Sequence, residues 1–141
     1  MPYREKTAWL ALVAMALTFG PYFAIVASGV MPVQGLPDLR HLMLFGGVAT
    51  LQVLILGIGH WYLRRGARQD AHVPPDERDN AIELRAFHAA YYVLLAGMIL
   101  VGCVMPFQTS GWRIVHAAIF MIIASEMVSY AVVVFSYRRQ A

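Results

Sequence analysis

Residues 114–137 read IVHAAIFMIIASEMVSYAVVVFSY, an apolar run that carries one acid, Glu126, near its middle and no lysine, arginine or aspartate. It exceeds the roughly 20 residues that cross about 30 Å of hydrocarbon as a helix. Tyr137-Arg138-Arg139 closes it with an interfacial aromatic and a basic stop. Working outward, three more stretches lack Lys, Arg and Asp, at 7–37, 41–63 and 86–112, and each is long enough to span. The expected fold is therefore all-α, an integral membrane antiparallel four-helix bundle, with spans over about 8–30, 41–63, 86–106 and 114–137 of a single domain, 1–141.

Composition agrees with that reading. An apolar content of 60% against 13% charged residues lies outside the soluble globular range, so lipid is the solvent for most of the chain. The short basic start into an apolar run has the look of a signal peptide, but the run is too long, and we read it as a retained first span. Of the cations, Arg4, Lys6, Arg64, Arg65, Arg68, Arg78, Arg85, Arg138 and Arg139 fall on one side, with only Arg40 and Arg113 on the other. Nine against two places both termini and the 64–85 loop in the cytoplasm of a multi-pass inner (cytoplasmic) membrane protein. Because topology distributes the +3 net charge, it does not point to nucleic acid. The lone Cys103 excludes an internal disulfide, and without a Cys-x-x-Cys pair there is no thiol–disulfide exchange.

Gly20-Pro21 near the centre of the first span predicts a kink. Asp76 after Pro74-Pro75 reads as an N-cap, with Glu77 and Asp79 in the first turn where the helix dipole favours acids. Helix three should thus begin near Asp76, extend into the cytoplasm before the membrane, and end by Pro106. The run Asp76-Glu77-Arg78-Asp79, followed by Ile82-Glu83-Leu84-Arg85 and Ala89-Ala90-Tyr91-Tyr92-Val93-Leu94, resembles a family of small prokaryotic four-span membrane proteins, a domain of unknown function. The resemblance covers most of the chain, including the acid in the last span before Tyr-Arg-Arg. It implies a regulatory or stress-linked setting and names no chemistry.

Glu126 is the sharpest candidate for function, because an acid in mid-membrane is costly unless it is paired or used. Counted by depth, Gln52, Tyr22, Ser125 and Ser129 fall at a similar level, which predicts a polar midplane site for a ligand, a lipid or a proton beside the Pro21 kink. The bland alternative is interhelical hydrogen bonding by Glu126. As a transport rival, Glu126 is the proton-coupled acid of a small exporter working as a homodimer. An electron-transfer rival makes His41 and His116 near one face, and His60 and His88 near the other, axial ligands of haem b; their shallow positions favour interfacial histidines. Asp76, Glu77, Arg78 and Asp79 are expected to cap helix three and to offer a docking surface for a cytoplasmic protein partner. No metal site, nucleophile–base spacing, His-Glu-x-x-His or phosphate-binding glycine loop is present, so the reading leans to a non-enzymatic regulatory or accessory factor.

Overall fold

The four apolar runs fold as four α-helices: α1 (Tyr3–Ser28), α2 (Leu39–Gly66), α3 (Glu77–Ile99) and α4 (Trp112–Arg139). The structure, a computed structural model, describes residues 3–32, 38–66, 76–109 and 111–139. Each run is long and apolar enough to cross a membrane, and no strand occurs among the described residues. At 28 residues, α2 and α4 are about 42 Å long, so they outreach a ~30 Å hydrocarbon core and carry their basic last turns, Arg64-Arg65 and Arg138-Arg139, beyond it.

Local chemistry sets the helix ends. Asp76 adopts extended backbone and accepts a 2.8 Å hydrogen bond from the Asp79 N–H, so α3 starts at the N-cap read from the sequence. Gly29, at φ 70°, stops α1 after Ser28 in a conformation that glycine adopts without strain. Pro21 lies inside α1, which stays α-helical on both sides of it. The third span ends at Phe107, one residue beyond Pro106, and leaves the α-helical form before it gets there. A π-helical turn, Leu100–Val104, is followed by a short 3-10 turn, Met105–Phe107, in whose first turn the missing proline N–H is tolerated.

Neighbours in the packing run α2–α1–α4–α3, all antiparallel. Helix α1 is the hub: Ala8, Ala11, Ala14, Met15, Thr18, Phe19 and Tyr22 form a buried stripe. By contrast α2, at one end of the row, buries only His41 and Gln52. Lipid tails are as apolar as the side chains, so close van der Waals fit holds these helices together rather than any expulsion of water. Two glycines permit that fit. A Cβ on Gly59 would come within 2.9 Å of Leu10 Cδ1, and one on Gly97 would come within 2.8 Å of Met121 Cγ. The start of α1, the end of α2, the start of α3 and the end of α4 lie at one end of the row, the termini end; the opposite ends of the same helices form the hairpin end.

Candidate functional site

Polar side chains gather at three levels of this apolar frame. At the termini end, the first turn of α1 is tied to α3 and α4. Arg4 Nη1 donates to Glu83 Oε1 at 2.9 Å, and Arg4 Nε lies 3.5 Å from Asp79 Oδ2. Tyr137 OH donates to the other Asp79 oxygen. Beside them the buried Glu5 faces Arg138 Nε at 3.8 Å, and the Arg138 guanidinium stands 5.1 Å over the Trp9 ring. Arg4 is 30% exposed, so each ion pair here contributes at most about 1 kcal/mol; the network chiefly fixes register among three helices.

Beneath this network is a cavity of about 230 Å³ to which all four helices contribute, which shows that the α2–α1–α4–α3 row curves. Its back wall is apolar, from Ala8, Ile82, Ala86 and Val133. Its polar groups are Thr7, His60, Glu83, Ser129 and Tyr130, with Arg4 and Tyr137 at the network side.

At the middle level, Thr18 Oγ1 lies 2.7 Å from Gln52 Oε1 and 2.9 Å from the Ala14 carbonyl, while Gln52 Nε2 is buried without a partner among the described residues. One hydroxyl proton cannot serve two acceptors. Turning the Gln52 amide lets Nε2 donate to Thr18 and Thr18 donate to Ala14, and leaves Oε1 as the buried atom without a partner among the described residues. At the hairpin end, Tyr22 OH and His116 Nδ1 are 2.9 Å apart and both residues are buried. His41 Nδ1 lies 3.0 Å from Asp38 Oδ2, close enough to pair but not aligned as a hydrogen bond. Trp112 stacks on His41, and the His41 and His116 ring centroids are 5.1 Å apart.

The five residues expected at one midplane site are thus dispersed. Tyr22 belongs to the hairpin-end group and Gln52 pairs with Thr18. Ser125 is buried and returns its hydroxyl to the Ile122 carbonyl, and Ser129 lines the cavity. Glu126 is exposed, one turn from Tyr130 of the cavity wall. The physical reasons are depth and angle: Tyr22 meets His116, which precedes Ser125 on α4 by nine residues, about 14 Å along the helix, while Gln52 lies at the middle level and Ser129 at the termini end. Residues at equal depth meet only if they also face the same way, and consecutive helical positions such as Ser125 and Glu126 point about 100° apart.

Among the histidines, the His41 and His116 ring centroids are 5.1 Å apart with their planes at 50°, His116 Nδ1 bonding Tyr22 and His41 Nδ1 lying beside Asp38. His60 and His88 are exposed, with His60 Nδ1 against its own helix at Leu56 O. No group of three His, Cys, Asp or Glu side chains is placed to hold a metal among the described residues. Of the docking candidates, Asp76 caps α3, Asp79 pairs with Arg4 and Tyr137, and the Arg78 guanidinium stands 6.0 Å over the Tyr137 ring; Asp76, Glu77 and Arg78 are exposed. Residues 67–75 of the loop lie outside the described residues.

Sequence reasoning missed Arg4, Glu83, Thr18 and Tyr130. Thr18 was within reach, because it lies one turn from Tyr22 on the same face of α1. Partners for Arg4 depend on how α1, α3 and α4 meet, which no single run encodes. Compared with known proteins, residues 4–141 match the model of a family described as "Predicted membrane protein (DUF2178)". No curated protein and no solved structure matches the chain.

Proposed function

The chain belongs to the DUF2178 family of predicted membrane proteins, and from that premise we propose that it is a non-enzymatic accessory or regulatory protein of the cytoplasmic membrane that binds a small amphiphilic amine in the termini-end cavity. The observation that carries this reading is the cavity itself: apolar at the back and polar at the mouth, with wall residues from every helix. At about 230 Å³ it is smaller than the roughly 300–1,000 Å³ of most ligand pockets, which suits a short alkylamine rather than a large cofactor. Asp79 and Glu83 both pair with Arg4, and Glu83 is the carboxylate on the cavity lining. Glu83 bonds Arg4 through Oε1 and keeps a largely exposed side chain for an ammonium group. Ligand binding against all four helices would set their spacing, which is how such a protein would report on a membrane-soluble molecule.

The test is calorimetric titration of the purified full chain in detergent with butylamine, hexylamine and the matching carboxylates. Saturable amine binding, weakened at least about tenfold by Glu83→Gln and abolished by filling the cavity with Ala86→Phe, is expected, since a charged hydrogen bond contributes about 1.5–3 kcal/mol. Carboxylates binding as well as amines would overturn the reading.

A transport reading is favoured by one further observation, the exposure of Glu126 one turn from Tyr130 of the cavity wall. In that reading Glu126 exchanges a proton for the amine, and Glu126→Gln abolishes pH-driven amine uptake by proteoliposomes while leaving binding intact. Unchanged uptake would remove Glu126 from the mechanism.

A further inference from the structure

A second hollow, of about 480 Å³, runs along the contact of α1 with α2 and shares no lining residue with the cavity above. Its α1 wall is Leu10, Val13 and Leu17, at helical spacing i, i+3 and i+7, and Ile55 faces them from α2. Val13 and Leu17 are 45% and 69% exposed, so the hollow opens sideways rather than inward. From Lys6 at one end to Leu17 at the other it extends about 17 Å along the helix, close to the ~15 Å hydrocarbon depth of one leaflet.

Any lipid-facing groove is filled by acyl chains; the chemistry of the termini end distinguishes this one. Lys6 lines that end with an exposed side chain and has no acidic partner among the described residues, whereas its neighbours Arg4 and Glu5 are both paired. Trp9 lines it too, and the Trp9 indole Nε1–H is shielded from solvent without an acceptor among the described residues. Arg138 lies over the Trp9 ring and adds a second cation nearby. An unpaired ammonium, a guanidinium and an unused N–H donor at the headgroup end of a one-leaflet apolar groove complement a phosphate with ester oxygens above an acyl chain.

We propose that this groove binds one anionic phospholipid, with an acyl chain along Leu10, Val13 and Leu17, its phosphate at Lys6, and an ester or phosphate oxygen accepting from Trp9 Nε1. The proposal does not depend on the amine-binding reading, because the two sites have different linings. The full chain in a neutral detergent is titrated with phosphatidylglycerol, phosphatidylcholine and glycerol phosphate, and bound lipid is counted by native mass spectrometry. Phosphatidylglycerol should fill one site well below the concentration needed for phosphatidylcholine, and glycerol phosphate should not bind. Lys6→Gln should weaken phosphatidylglycerol about fivefold, the effect of one lysine near an anionic surface, and leave phosphatidylcholine unchanged. Lys6→Arg should retain the affinity, and Val13→Trp, which fills the groove, should lose the lipid while thermal stability persists. Equal binding of the two lipids, an unchanged Lys6→Gln, or glycerol phosphate binding as tightly as the whole lipid would each overturn it.

Discussion

Tyr22 and His116 illustrate how a buried polar pair behaves in an apolar frame. Tyr22 OH and His116 Nδ1 are 2.9 Å apart, and among the described residues His116 Nε2 is already buried without a partner. Tyr22→Phe removes one partner and leaves Nδ1 dry, which should destabilise the protein in detergent by about 1 kcal/mol, nearer the upper end of intramembrane hydrogen bonds. Tyr22→Phe combined with His116→Phe should cost less than the two single changes added, because both polar groups then disappear. Additive melting temperatures would show that the pair is not coupled. The Thr18–Gln52 bond predicts a contrasting result at the same scale. If Nε2 is the donor, Gln52→Glu should be worse than Gln52→Met, since an acid at that buried position loses the donor and adds a charge, whereas methionine keeps the volume. The reverse order of stability would assign the oxygen to Thr18.

At the scale of elements, what could be read in advance depended on whether the cause was local. The start of α3 was legible because an N-cap involves only Asp76 and the next turn. Asp76→Ala should cost about 1 kcal/mol and speed hydrogen exchange at the Asp79 amide first; unchanged exchange there would mean the cap contributes nothing. The four spans were legible for the same reason, as hydrophobic length is a property of each run alone. The contact of α3 with α4 was not, although its requirement is visible in hindsight at Gly97, where a Cβ would meet Met121 Cγ at 2.8 Å. Gly97→Val should force these helices apart and lower the melting temperature by several degrees, and Met121→Ala in the same chain should recover part of the loss. Recovery is the diagnostic result, because valine's lower helix propensity alone would not respond to Met121.

For the whole molecule, neither the exact depth of a side chain nor its azimuth could be counted from the run lengths alone. That is why Glu126, Gln52, Tyr22, Ser125 and Ser129, expected at one level, occupy different levels, faces and neighbourhoods. The network at the termini end was hidden for a related reason, since Arg4, Asp79, Glu83 and Tyr137 come from three helices brought together by the packing order. That order, α2–α1–α4–α3, also has a meaning for how the chain is made. Each neighbouring pair at the ends, α1 with α2 and α4 with α3, is a complete hairpin. The halves adhere through side chains such as Arg4 with Glu83, Glu5 with Arg138 and Tyr22 with His116, none of which requires a covalent link between α2 and α3. Each hairpin thus carries two spans of its own, and the two halves meet as the chains of a heterodimer would. Two polypeptides divided between Gly66 and Asp76 and made in the same cell should find one another in the bilayer and co-purify, and Glu5→Lys should weaken that recovery.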